Sequence, residues 1–216
     1  MAKPKGAPIV ILGMHRSGTS LVASMLHRIG IRMGEDFLAA DSHNLDGYFE
    51  DTNFLWINKG ILENCGGIWY DPPRIEEIRE GGKKFHTALD KVIKERRKMA
   101  GANPWGWKDP RNCLTCWTFG TKVPDAKYII IVRRLSDIKR SLNEAHGHAA
   151  NWSKVIDAYY SSIDRFAQIC ANAMMTISFE ELVYEKYAEE ATKKILHFVD
   201  KPESTLRKAM SVIRLR

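Results

Sequence analysis

The amino-acid sequence predicts an α/β protein, a parallel central sheet flanked by helices, and three observations carry that expectation. Short apolar runs rich in β-branched residues, 9–12 and 128–132 above all, have the length of strands buried on both faces. Between them lie segments whose apolar residues recur at three- and four-residue steps, as on amphipathic helices. Strands that alternate with helices in this way build a parallel sheet covered on both sides. With 216 residues, no internal repeat and no low-complexity segment, residues 1–216 read as a single domain with a sizeable core.

The first strand, 9–12, runs into a turn bounded by Gly13 and Gly18. From Thr19 and Ser20 a helical pattern follows, with Leu21, Val22, Met25, Leu26 and Ile29 on one face. Strand, glycine-bounded loop and helix start make an anion site, because backbone N–H groups and the positive end of the helix dipole point into the loop. Two glycines enclosing four residues match the spacing of the phosphate loop GxxxxGK[ST], so the fold expected is P-loop nucleotide-hydrolase-like. Thr19 stands where that motif has its lysine, and positive charge arrives earlier, on Arg16. The plainer alternative is a tight turn that binds nothing. Hydroxyls at Ser17, Thr19 and Ser20 and the cation inside the loop favour an oxyanion.

Residues 34–51 read as a loop, and Asp51 or Thr52 as the N-cap of a helix carrying Phe54, Leu55, Ile57, Ile61 and Leu62. Cys65-Gly66-Gly67 stops it, and Pro72-Pro73 breaks the chain again. Residues 75–99 form one or two surface helices. Trp105-Gly106-Trp107 reads as a short strand ended by Pro110, 113–119 as a helix, and 128–132 as a strand that delivers Arg133 and Arg134 to its end. Helices follow from Ser136, with Ile138 and Leu142 inward, and from Trp152 to Cys170. Residues 174–178 read as a strand, and the remainder as helical to the end, with Ile195, Phe198 and Val199 buried. Ligands of parallel sheets sit beyond the strand C-termini. Arg16, Lys108 and Arg133 all follow predicted strands and should converge on one crevice.

The net charge of +7 suits nucleic acid, an anionic membrane surface or a highly anionic small ligand. The basic residues are scattered, and the runs at Lys83 and Lys94 read as solvated helix faces. With 44% hydrophobic and 27% charged residues the chain is not of the disordered class. No apolar run approaches the ~18 residues of a membrane span, and 1–5 lacks a signal-peptide core. Stable membrane insertion is therefore not expected, and a cytoplasmic location is. Cys113 and Cys116 form a CxxC without a second pair, so all four cysteines, Cys65 and Cys170 included, point to packing rather than zinc or disulfides. No metal is expected.

Taken in order, these motifs resemble the superfamily of sulfotransferases that use 3′-phosphoadenosine 5′-phosphosulfate (PAPS). GMHRSGTSLV resembles the 5′-phosphosulfate loop, with Arg16 at its cationic position. VRRLSDIKRS is similar to the 3′-phosphate motif, an arginine ending a strand and a serine eight residues on, here Arg133 and Ser141. WGWKDPRN resembles the KDP segment of tyrosylprotein sulfotransferases and many bacterial enzymes. ISFEELVYEKYAEEATKKILHFV resembles the closing "YEDL" strand and helix, and LDGYFED a stretch common in the bacterial branch. The RKG segment and the histidine base of animal cytosolic enzymes have no counterpart, the latter falling near Pro110.

The resemblance implies sulfuryl transfer from PAPS to a hydroxyl or amine by in-line displacement, releasing adenosine 3′,5′-bisphosphate (PAP). It implies His15, Arg16, Ser17, Gly18, Thr19, Ser20, Arg133 and Ser141 as donor-binding residues, with Arg16 and Lys108 stabilising charge on the departing oxygen. Glu35 or Asp36 falls near the tyrosylprotein enzymes' glutamate, with Glu50 and Asp109 as rival bases. His15 can contact sulfate oxygens or simply pack. His43, His146 and His148 read as surface residues. Trp56, Trp69, Trp105 and Trp107 lie near the expected crevice, at least half of them as core. The acceptor is a small molecule, glycan, lipid or peptide. A small nucleotide or nucleoside kinase lacks its loop lysine here, and a non-catalytic nucleic-acid-binding module lacks its clustered basic face.

Overall fold

A computed structural model describes residues 6–38 and 47–215 of the chain. His43 and the Leu45-Asp46 part of LDGYFED lie outside the described residues. In chain order the elements are β1 (Pro8–Leu12), α1 (Thr19–Arg28), α2 (Thr52–Asn64), α3 (Ile75–Gly81) and α4 (His86–Ala100). Then come β2 (Trp105–Lys108), α5 (Asn112–Phe119), β3 (Lys127–Val132), α6 (Leu135–His146) and α7 (Trp152–Ile169). The chain closes with β4 (Met174–Ser178), α8 (Phe179–Val183), α9 (Glu185–Phe198) and α10 (Leu206–Met210).

The four strands are all parallel, in the order β2-β1-β3-β4. Alternate residues of the two central strands point to opposite faces, as a pleated strand requires. Val10, Leu12, Tyr128 and Ile130 join one core with α2, α4, α5 and α7, and Ile9, Ile11, Ile129 and Ile131 join a second with α1, α9 and α10. Burying each such isoleucine or leucine contributes roughly 1.5–3 kcal/mol, so the doubly covered centre holds the strand ends in place. In β2, a Cβ on Gly106 would strike the Ile9 carbonyl, and only glycine allows the strands to pair there.

Most elements lie where their patterns predict. Asp51 is the N-cap of α2, its carboxylate accepting from the Asn53 amide at 3.0 Å. One expectation needs correction. The last helical stretch is not continuous: α9 ends at Phe198, Asp200 adopts a left-handed φ of 55°, and Pro202 precedes a 3₁₀ turn. Trp105 and Trp107 belong to the core, stacked on each other and, through Trp107, on Phe54. No helix among the described residues is long and apolar enough to cross a membrane.

Candidate active site

All four strands end at one cavity of about 240 Å³. The turn after β1 contributes His15, Arg16, Gly18, Thr19 and Ser20, while β2 contributes Lys108. Arg133 follows β3, Ser141 reaches in from α6, and Phe179 follows β4. Tyr48 and Glu50, from the segment leading to α2, close the wall beside Lys108.

The turn is built by sterics. A Cβ on Gly13 would meet Thr19 Cγ2 at 2.7 Å and Ser17 Oγ at 2.8 Å, and one on Gly18 would overlap the Phe179 ring. Arg16 and Gly18 both hold left-handed φ, 66° and 98°. Alternation of this kind turns successive N–H groups into a concave nest for anions. No side chain caps the start of α1; the Leu21 and Val22 N–H groups donate to the Gly18 carbonyl, which leaves those of Thr19 and Ser20 for an anion. Ser17 Oγ is buried beside them without a hydrogen-bond partner.

Arg16 ties the turn to β3 and α6. Its Nε donates to Ser141 Oγ at 2.8 Å, and its carbonyl accepts from Arg133 Nη1 at 2.7 Å. The Arg133 guanidinium lies over the Phe179 ring, 4.6 Å from its centroid. Across the cavity Lys108, 1% exposed, donates to Glu50 Oε1 at 2.8 Å and to Ser20 Oγ at 3.2 Å. The second Glu50 oxygen lies 3.6 Å from Arg111, which also pairs with Asp109 at 2.7 Å. Burial pushes the Glu50 carboxyl above its ordinary range, in spite of the two cations beside it.

His15 stacks on Trp69 at 4.3 Å between centroids and meets Tyr159 edge-on at 5.8 Å. Burial, then the nearby charges of Arg111, Lys108, His146 and Arg16, hold its pKa well below 6.5, so the ring is neutral at pH 7. Its Nε2 is buried without a partner. His146 is exposed but rests on Trp69 and Trp152. Trp56, 62% exposed on α2, stands away from the cavity beside Lys59.

Of the four carboxylates weighed as a base, Glu50 is the one that lines the cavity. The Glu35 carboxylate pairs with Arg32 at 2.9 Å, and Asp36 enters the structure through its carbonyl, which accepts from the Thr52 amide. Asp109 is 1% exposed and spends its oxygens on Asn58 and Arg111. Sequence reasoning missed Tyr48 and Arg111. The latter had a visible signal, a cation two residues after the Asp of KDPR. A larger cleft of about 590 Å³ opens on the other side of Ser20, with Leu21, Phe49, Val212 and Ile213 among its walls. Among the described residues no cluster of three His, Cys, Asp or Glu is set to hold a metal ion.

Comparison with known proteins adds a family to this geometry. No protein of curated function matches in sequence. Among solved structures, sulfotransferase STF9 from Mycobacterium avium superposes with a TM-score of 0.53 at 14% identity, over 96% of this chain and 67% of that one. Sulfotransferase STF1 from Mycobacterium tuberculosis gives 0.48 at 10% identity, over 95% and 71%. Shikimate kinase from Bacteroides thetaiotaomicron gives 0.41 at 9% identity, over 89% and 98%. At these identities the first likeness establishes a shared fold. The family itself rests on sequence: the model of the Sulfotransferase family matches residues 8–204, from β1 to the turn before α10. This chain belongs to the sulfotransferase family.

Proposed function

We propose that this protein transfers a sulfuryl group from PAPS to a hydroxyl or amine of an acceptor, with PAP as second product. The supporting observation is the arrival of all four strand ends at one cavity, with Arg16, Arg133 and Ser141 on one side and Lys108 with Glu50 on the other. The residues fit such a donor: the nest after β1, the partnerless Ser17 Oγ and the uncapped start of α1 each call for anionic oxygens. When bound, the donor supplies an activated sulfuryl group with a nucleotide as leaving group.

The chain's own residues then divide the work. The turn and Arg16 hold anionic oxygens, and Arg133 with Ser141 grips a second phosphate, which Arg does bidentately. Lys108 fixes a positive charge beside the turn before any acceptor arrives, and its burial keeps water away from it. Glu50 takes the acceptor's proton on a carboxylate oxygen. A carboxyl raised above its ordinary range is a better base than an exposed one.

Thermal-shift titration with PAP, ATP-Mg²⁺ and an oligonucleotide separates this reading from a kinase and from a nucleic-acid-binding module. PAP should raise the melting temperature at micromolar concentration, with little response to the others. A shift with ATP-Mg²⁺ or oligonucleotide and none with PAP overturns the proposal. A radiolabelled-sulfate screen over glycans, phenols, peptides and lipids then identifies the acceptor.

A further inference from the structure

Glu50 reaches Lys108 from a segment with no regular structure, and what fixes that segment is its neighbour Asp51. Tyr48 and Glu50 both face the cavity. Phe49 between them adopts a left-handed φ of 53°, sparsely populated for a bulky residue. Its ring is directed the other way, against Phe37 and His27. Such a conformation persists only where the flanking chain is held on both sides.

Asp51 does the holding, and its carboxylate is fully subscribed. It accepts from the Glu35 amide at 3.1 Å, from the Asn53 amide at 3.0 Å, and from Arg96 at 2.7 Å through Nε and 3.0 Å through Nη2. Arg96 stands on α4, behind the wall, and does not line the cavity. The two side chains are 7% and 0% exposed, and the fork-to-fork geometry fixes orientation as well as distance. The Glu50 carbonyl accepts from the Leu38 amide and the Asp36 carbonyl from the Thr52 amide, so the whole strap moves with Asp51.

We propose that Arg96 is a positioning residue for the transfer reaction: by gripping Asp51 from α4 it fixes the strap that lays Glu50 against Lys108. The role rests on the proposed function, although the geometry it concerns does not. Glu50 faces Lys108 from β2 and Asp109 and Arg111 from the turn after it, with Ser20 of α1 on the far side of the lysine. A strap released from Arg96 lets Glu50 slip from this group toward water.

The test uses the full chain with Arg96→Lys, which keeps the charge but loses the fork, and Asp51→Asn, which keeps the N-cap but weakens the grip. Glu50 is titrated by ¹³C carboxyl NMR, assigned with Glu50→Gln, and PAP binding is measured calorimetrically. In both variants the Glu50 midpoint should fall back toward that of a solvated carboxylate, while PAP affinity stays within threefold of wild type. With an acceptor from the screen, kcat should fall roughly 10- to 100-fold at unchanged donor KM, as misplacement of a reacting group does. A folded Arg96→Lys protein whose Glu50 titrates as in wild type overturns the positioning role. A wild-type protein that ignores PAP overturns the sulfotransferase reading instead, and the NMR result still decides the role of Arg96.

Discussion

Replacing Lys108 by Met tests the buried pair at the centre of the site. The ammonium is 1% exposed and its partner Glu50 4%, so the substitution leaves a carboxylate in a dry wall next to Asp109. Breaking a buried pair from one side typically costs about 3–5 kcal/mol. Arg111, 3.6 Å from the other Glu50 oxygen, offsets part of this, and a carboxyl already raised by burial protonates readily. The lower end, about 3 kcal/mol, is expected, and at ~2–4 °C per kcal/mol for a domain of this size the melting temperature should fall by about 6–12 °C. The sign with pH is fixed: without Lys108 the folded Glu50 pKa lies further above its unfolded value, so the deficit grows with rising pH and shrinks as the carboxyl protonates toward pH 4.5. Lys108→Met/Glu50→Gln, with no buried charge left over, should regain most of the lost stability. Turnover in the single variant should drop ~10²–10³-fold, as on losing one preorganised donor, with PAP affinity far less affected. Urea unfolding from pH 4.5 to 7.5 and donor turnover measure both. A single variant as stable as wild type, or a double no more stable than the single, refutes the pair; wild-type turnover removes Lys108 from the chemistry.

Three further outcomes are expected. His15 is held neutral below its ordinary pKa of 6.5, so the stability it contributes is full above that value and is lost as pH falls; His15→Asn should flatten that part of the stability–pH curve, and unchanged curvature in urea melts would remove the burial argument. Gly18→Ala strains a φ of 98° and drives a methyl group into the Phe179 ring, so PAP affinity should fall at least tenfold by calorimetry, and wild-type affinity would show that the turn does not hold the donor. Cys113 and Cys116 are buried, with thiols pushed up by burial, so in the native protein a thiol reagent should label Cys65 and Cys170 and leave this pair untouched until unfolding.

The strands and the glycine-bounded turn after β1 were legible because each rests on a local signal. The 9–12 and 128–132 runs need only their apolar content, and the turn only its two glycines and the cation between them. Lys108 was legible for the same reason, as the residue that ends a short aromatic strand. The choice among Glu35, Asp36, Glu50 and Asp109 was not legible. It depends on a strap that bridges Phe37 to Asp51 and on a left-handed Phe49, and no periodicity marks either. The same strap sends one of two adjacent acids, Glu50, into the cavity and the other, Asp51, into the wall on Arg96. Of the four tryptophans expected near the crevice, Trp56 misled, being exposed on α2, while Trp105 and Trp107 take the core role expected of at least half. Aromatic residues beside a predicted site can line it or pack beneath it, and a strand covered on both faces puts both into the core. At the C-terminus Pro202 was a visible breaker that the apolar spacing of Ile195, Phe198 and Val199 outweighed.

The two walls of the cavity hold their cations by different means, and the difference bears on the division of labour proposed for them. On the β2 side the charges are matched: Lys108 sits on Glu50, and Arg111 between Glu50 and Asp109. On the side of β1, Arg16 rests on the hydroxyl of Ser141. A dipole of that kind orients a guanidinium without cancelling its charge, and the start of α1 adds roughly a further half charge of the same sign. Phosphate groups are therefore drawn to Arg16 and the start of α1. A proton is better handled at the first wall, where a carboxylate and an ammonium already lie 2.8 Å apart in a dry setting. Moving one charge between the walls tests this asymmetry: Ser141→Asp, which places a carboxylate beside Arg16, should weaken PAP binding by at least tenfold while leaving the Glu50 titration in place. Equal PAP affinity in that variant would mean that the phosphates are held elsewhere.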